Sequence, residues 1–204
     1  MPNVIPTKGN LITIKRSLAL AWLGFELMDR KRNILIREMM NMIDTANNVQ
    51  GQIDSTFTRA YEALRDANIS LGICDEIAQS VDIDNSVQIR FRSVMGVEIP
   101  IVNMDESEPS AVPYGFAFSN ATLDRAYFEF WRVKMLVCQL AEIENSIYRL
   151  AVAIKKTQKR ANALQNIIIP NFTADIKFIT DAIEEKEREE FIRLKVIKAR
   201  GDKR

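Results

Sequence analysis

The fold is decided by residues 133–168, which read VKMLVCQLAEIENSIYRLAVAIKKTQKRANALQNII. Apolar residues recur in this stretch at alternating steps of three and four, and Thr157 is the one polar interruption. The positions of this C-terminal seam are Val133, Leu136, Leu140, Ile143, Ile147, Leu150, Ile154, Thr157, Ala161, Leu164 and Ile168. So narrow a stripe is typical of a helix that packs against one or two partner helices rather than on a broad core.

A second seam of the same kind begins near the N-terminus. Its positions are Leu11, Ile14, Leu18, Ala21, Phe25, Met28, Arg32, Leu35, Met39, Met42, Ala46, Val49 and Ile53. The spacing slips by one residue at Phe57 and then continues to Leu71. We therefore predict an N-terminal coiled-coil helix in residues 1–71 and a C-terminal coiled-coil helix in residues 120–204. Pro170 is expected to interrupt the second helix, because proline removes a backbone hydrogen bond and its ring clashes with the preceding turn.

The middle region, residues 72–119, has a different pattern. Apolar and polar residues alternate from Val87 to Phe91 and again from Val97 to Ile101, with Met95-Gly96 between them. This alternation predicts two half-buried strands joined by a tight turn, so we expect a β-hairpin near residues 87–102. The predicted fold class is mainly α, a long antiparallel two-helix coiled coil with a small hairpin-containing middle region. Parallel pairing in a dimer is less favoured, because a partner in the same chain has a higher effective concentration.

The composition argues against a catalytic, metal-binding or phosphate-binding site in this chain. The 204 residues include no histidine, two cysteines and seven scattered glycines. A Ser/His or Cys/His nucleophile pair, a Cys/His zinc site and a Gly-rich phosphate loop are therefore not expected. The acidic segment 181–190 is interpreted as a solvated helix face. We predict no catalytic residue, no metal site, no cofactor and no enzyme activity.

Charge and hydropathy indicate a cytosolic chain. The net charge is +1 at neutral pH, which exerts no general attraction toward nucleic acid or anionic membranes. The apolar runs are too short to cross a bilayer. We therefore expect no nucleic acid partner and no direct insertion into a membrane.

Three separated motifs carry a resemblance to a known family. The first comprises Pro6-Thr7-Lys8, Leu11, Lys15, Leu18, Ala21, Gly24, Leu27, Lys31-Arg32 and Leu35. The second is SVMGVEIP at residues 93–100, and the third extends from Arg160 to Lys195 and includes EREEF at residues 187–191. Together they resemble the D subunit, the central rotor stalk of the V-type and A-type rotary ATPases (ATP synthases), over nearly the whole chain. Asn33, Ala161 and Gln165 depart from the usual residues of that family.

The resemblance implies a rotor shaft that transmits torque between ATP hydrolysis or synthesis at an A/B hexamer and proton or sodium transport. It implies three partners, namely the F subunit of the rotor, the A/B hexamer and the socket subunit (C/d type) above the membrane rotor ring. The complex would lie on the cytoplasmic face of the membrane. Contacts with the hexamer are predicted on the outer faces near both termini, at Lys15, Arg16, Lys31, Arg32, Arg188, Glu189, Arg193 and Lys195. The tip of the hairpin is predicted to act through Met95, Gly96 and Val97.

Two other functions stay open at this point. A non-rotary coiled-coil tether or adaptor would use the hairpin only as a cap. A helical protein that binds RNA or a membrane surface would use the basic N-terminal segment and the basic tail, and its binding would weaken steeply with salt.

Overall fold

The computed structural model describes residues 5–79, 81, 83, 85–104, 109, 112–115 and 119–201. Of the described residues, 81% are helical. The elements are α1 (Lys8–Leu71), α2 (Asp75–Gln79), β1 (Gln88–Val94), β2 (Val97–Asn103), α3 (Ala121–Ala163) and α4 (Ile169–Gly201), with a π-helical turn (Leu164–Ile168) between α3 and α4. The predicted fold class is confirmed. The division into domains at residues 71 and 120 stays a prediction.

The chain forms two compact units, Met1–Asn33 with Lys155–Arg204, and Ile34–Ile154. In the first unit, Lys8 Nζ lies 2.8 Å from Glu187 Oε1, and Arg32 Nη1 lies 2.7 Å from Gln158 Oε1. Because the start of α1 contacts α4 and a later part contacts α3, the paired helices run antiparallel. The buried residues of this unit are Ala21, Thr157, Ala161, Ile169 and Ile179.

The second unit is centred on three side chains that are almost fully buried. Leu35 of α1, Ile99 of β2 and Leu150 of α3 pack together, so the hairpin lies against both helices. Further along α1, Ala60, Ala63 and Ala67 are also buried, and their small side chains let α3 approach closely. Contacts of Tyr61 with Phe130 and of Ser70 with Thr122 show that α1 and α3 are antiparallel here too.

The C-terminal helix changes its hydrogen bonding immediately before Pro170. The Ile169 N–H donates to the carbonyl of Leu164, a step of five residues, which defines the π-helical turn. Such a turn holds one extra residue, and it precedes a proline that cannot donate to the turn before it. The extra residue shifts the seam, since Ile169 is 6% exposed whereas Ile168 is 37% exposed. The prediction that Ile168 belongs to the seam is therefore wrong, and Ile169 takes its place.

The hairpin has a regular antiparallel register from Gln88↔Asn103 to Val94↔Val97. Met95 and Gly96 between the strands have φ of 51° and 76°, the positive values that two-residue type I′ turns require. The two strands differ in burial. Ile99 of β2 is buried, but Ile89 and Phe91 of β1 are 63% and 58% exposed. The apolar face predicted to be half-buried on β1 is thus largely open to solvent.

Candidate partner-binding surfaces

The eight residues predicted to contact a hexamer all lie in the first unit, on α1 and α4. Six of them are exposed, namely Lys15, Arg16, Arg188, Glu189, Arg193 and Lys195. The other two, Lys31 and Arg32, are partly buried. Their predicted contacts with a partner stay predictions.

Arg32 is already engaged within its own unit. Its Nη2 lies 2.6 Å from Asp29 Oδ1, and its Nη1 donates to Gln158 on the facing helix. Nη2 also donates to Asn33 Oδ1 at 3.3 Å. The guanidinium group thus contacts Asp29 on its own helix and Gln158 on the facing helix. Arg32 therefore links the two helices at a seam position where an apolar residue would be usual.

The exposed charges of α4 pair mainly along the helix. Arg188 lies 3.6 Å from Glu184 and 3.7 Å from Glu185, and Arg193 lies 3.7 Å from Glu189. Exposed pairs of this kind add little to stability. Their side chains are therefore available to a partner at little energetic cost.

The contact between α1 and the acidic segment is made by Lys8. Its hydrogen bond to Glu187 is the main reason that the pKa of Lys8 is raised, and the negative charges of Glu187 and Glu190 add to the effect. Both side chains of the pair are largely exposed. This pair helps to set the register of α4 against the first turn of α1.

Exposed apolar residues accompany the charges on the same helices, and they are not among the contact residues predicted from the sequence. On α4 they are Phe191, Ile192, Leu194, Val196 and Ile197, and on α1 they are Leu20, Trp22, Leu23 and Leu27. Clusters of exposed apolar side chains on one helix are a common mark of a protein-binding site. A usable signal was present, because most of these residues are apolar at positions that the seams do not use.

A second surface lies beside the hairpin. The exposed face of β1 and the adjoining face of α3 line an open groove, formed by Val87, Ile89, Phe91, Pro100, Val102, Cys138, Ala141, Glu142, Asn145 and Arg149. The guanidinium carbon of Arg149 lies 5.3 Å from the centre of the Phe91 ring, a cation–π contact. Arg92 Nη2 lies 3.3 Å from Glu38 Oε1 and joins β1 to α1.

The hairpin tip combines exposed and anchored residues. Met95 and Gly96 are exposed, whereas Val97 packs against the Leu35–Ile99–Leu150 cluster. The tip is thus presented at a fixed position on the second unit and is free to contact another chain.

Comparison with known proteins identifies the family. The family model for the ATP synthase D subunit matches residues 10–199 of this chain. The chain belongs to the ATP synthase D subunit family. The V-type ATP synthase D subunit of Thermotoga neapolitana is 45% identical over 198 residues, which cover 96% of this chain and 97% of the relative. The A-type ATP synthase D subunits of Thermococcus kodakarensis and Pyrococcus abyssi are 38% and 37% identical, covering 97% and 98% of this chain and 94% and 96% of the relatives.

Membership of the D subunit family confirms the resemblance drawn from the three motifs. The D subunit is a structural stalk subunit and is not itself catalytic. Within the described ranges, no group of three or more Cys, Asp or Glu side chains could hold a metal ion. None of the helices in the described part of the chain has an apolar stretch that would span a bilayer.

Proposed function

We propose that this chain is the rotor shaft of a V/A-type ATP synthase. It transmits torque between ATP hydrolysis or synthesis at an A/B hexamer and proton or sodium transport at the membrane. The observation that carries this role is the antiparallel pairing of α1 with the C-terminal helices inside each of the two units. A pair of helices with interlocked side chains resists twisting better than a single helix.

The coupling rests on asymmetry. A single shaft inside a ring of three catalytic sites makes different contacts with each site. A set of contacts that differs between the states of a site shifts the equilibrium between those states. Rotation of the shaft then changes the nucleotide affinity of each site in turn.

The exposed surface of the first unit supports contact with the hexamer. Its charged members are the predicted residues other than Lys31 and Arg32, and its apolar members include Trp22, Leu27 and Phe191. Arg32 is assigned a second role, because its bonds to Asp29 and Gln158 hold the helix pair that presents this surface.

The family assignment supports the proposal for the remaining partners. The F subunit binds the shaft away from the hexamer, and the hairpin end is directed toward the socket subunit above the membrane rotor ring. The complex is peripheral, on the cytoplasmic face of the membrane. Membership of an ATP synthase supports the existence of partner subunits.

The test is the ATPase activity of a reconstituted A/B hexamer, measured with and without this chain plus the F subunit. We expect a stable complex whose turnover changes when the pair is added. The double variant Lys15→Glu/Arg16→Glu is expected to weaken association, whereas Arg65→Glu/Arg125→Glu, with the same change of charge on exposed residues of the second unit, serves as the control. Absence of association at physiological salt would contradict the shaft role and favour a tether.

A further inference from the structure

One edge of the hairpin is covered by α3. The Val102 N–H donates to Glu142 Oε2 at 2.8 Å, and Arg149 Nη1 donates to the Glu98 carbonyl at 3.1 Å. The hydroxyl of Ser146 makes a longer contact of 3.5 Å with the Pro100 carbonyl. These bonds show that Glu98, Pro100 and Val102 direct their backbone groups away from β1.

The register then fixes the direction of the backbone groups on β1. Glu98, Pro100 and Val102 lie opposite Ser93, Phe91 and Ile89. In an antiparallel pair of strands, both members of such a non-hydrogen-bonded pair point their N–H and C=O groups outward. Ile89, Phe91 and Ser93 therefore present three donors and three acceptors along the free edge of β1.

Among the usual protections of an edge strand, this free edge has only the charged side chains of Arg90 and Arg92. Edge strands are commonly blunted by proline, by a bulge or by a covering helix or loop. The β2 edge has both Pro100 and α3, but β1 has no proline and pairs without a bulge. Within the described part of the chain, no group forms a hydrogen bond to the outward backbone of Ile89, Phe91 or Ser93.

We propose that the β1 edge binds an extended strand from another subunit of the ATP synthase, which adds to the hairpin as a third strand. Backbone hydrogen bonds to Ile89, Phe91 and Ser93 supply the affinity, as in other cases of strand addition. The identity of the partner as a subunit of this complex rests on the proposed function. The strand addition itself rests on the geometry of the edge.

The side chains of β1 define the chemistry of the added strand. Ile89 and Phe91 are exposed on the face that borders the groove. An apolar side chain of the added strand would therefore pack beside them on that face. The opposite face carries Arg90 and Arg92, of which Arg92 already pairs with Glu38 of α1, and β1 has no acidic residue. The strand that fits thus has apolar residues on the face of Ile89 and Phe91 and an acidic residue beside Arg90.

A second copy of this chain fits the edge less well than an acidic strand. Antiparallel pairing of two β1 strands centred on Phe91 places Arg90 of one chain opposite Arg92 of the other. Like charges directly opposite each other on a sheet are destabilising. This repulsion favours a different chain as the occupant.

The experiment is amide hydrogen exchange at residue resolution, on the isolated chain and on the complex assembled with the A/B hexamer, the F subunit and the socket subunit. In the isolated chain, we expect fast exchange at Ile89, Phe91 and Ser93 and slow exchange at Arg90 and Arg92, whose amides point toward β2. Assembly is expected to slow the three outward amides by about tenfold or more, because a paired edge opens less often.

Three outcomes would overturn the proposal. Outward amides that exchange equally fast in an assembled, active complex exclude strand addition and leave the shaft role intact. Slowing that depends only on the concentration of this chain alone indicates self-pairing. Failure of the subunits to assemble contradicts the proposed function, and it also contradicts the assignment of the partner strand to a subunit of this complex.

A matched pair of variants tests the backbone contact directly. Ser93→Pro removes one outward N–H and no hydrogen bond between β1 and β2, whereas Ser93→Ala keeps that N–H. In the assembled complex, we expect the amides of Ile89 and Phe91 to exchange several-fold faster in Ser93→Pro than in Ser93→Ala. Slow exchange at Arg92 verifies that the hairpin is intact. Equal protection in the two variants would contradict the proposal, and Phe91→Pro against Phe91→Ala repeats the comparison opposite Pro100 if Ser93→Pro loosens the turn.

Discussion

The backbone N–H of Val102 donates to the carboxylate of Glu142, with the two atoms 2.8 Å apart. The two residues lie 40 positions apart in the chain, so one charge-assisted hydrogen bond joins the end of β2 to the middle of α3. The contact closes one edge of the hairpin, and the other edge stays open.

Loss of the Glu142 carboxylate should loosen the hairpin. Glu142→Ala leaves a partly buried N–H without its acceptor, which costs about 1–3 kcal/mol. Glu142→Gln keeps an acceptor oxygen and should lose less. Urea unfolding together with exchange of the Val102 amide measures both effects, with Glu144→Ala on the exposed face of α3 as the control. An unchanged Val102 amide in Glu142→Ala would show that this bond does not hold the strand.

The shift of the seam at the π-helical turn predicts different costs for two neighbouring isoleucines. Ile169→Ala should lower the free energy of unfolding by about 2–5 kcal/mol, because it deletes a buried side chain. Ile168→Ala should cost about 1 kcal/mol or less, because its side chain is more exposed. Thermal or urea unfolding of the two variants gives the comparison. Equal losses, or a larger loss at Ile168, would place the seam where the simple heptad puts it.

The pKa of Lys8 depends on Glu187. The hydrogen bond to Glu187 raises the pKa of Lys8 above its ordinary value of 10.5. The contribution of this pair to stability is therefore fully present below about pH 10.5 and is lost as the pH rises through the higher folded value. In Glu187→Gln, NMR titration of the Lys8 side chain should give a pKa closer to the ordinary value. Glu189→Gln, which removes the neighbouring partner of Arg193 instead, should leave it unchanged, and an unaltered pKa in Glu187→Gln would contradict the assignment.

The hairpin tip should matter for coupling and little for folding. Replacing Met95, Gly96 and Val97 by Gly, Ser and Gly removes the exposed Met95 side chain and the packing of Val97. We expect the helical content to be retained and the ATPase rate or ion pumping of the reassembled complex to fall. Circular dichroism checks the helices, and Ser93→Ala in β1, next to the tip, is a control. Normal ATPase and pumping rates would exclude a role for the tip.

The long-range pattern of this chain and an interruption near Pro170 were predictable from sequence, but the form of that interruption was not. Alternating steps of three and four residues indicate two long helices whatever their surroundings. The π-helical turn depends on how Pro170 is accommodated in three dimensions. The sequence pattern therefore does not reveal that Ile169 replaces Ile168 in the seam. Arg32 showed as a break in the seam, but its partner Gln158 lies 126 positions away.

The binding surfaces were predicted only in part. The alternation of apolar and polar residues around Ile89 and Phe91 is the same whether the apolar face packs within its own chain or is exposed for binding to another chain. Exposed apolar residues such as Trp22 and Phe191 are likewise indistinguishable from core residues until the helix pair defines which face is covered. The contact residues predicted from the sequence are all charged, and the apolar part of that surface is apparent only from the structure.

We expect this chain to rotate inside an A/B hexamer. The most direct measurement is single-molecule rotation of a probe fixed to Ile83→Cys, an exposed position in the middle region, with Cys74 and Cys138 replaced by serine and the hexamer immobilised. We predict stepwise rotation in one direction when ATP is added, at a rate that follows the ATPase rate. ATP hydrolysis by the assembled complex with a stationary probe would contradict the rotor assignment.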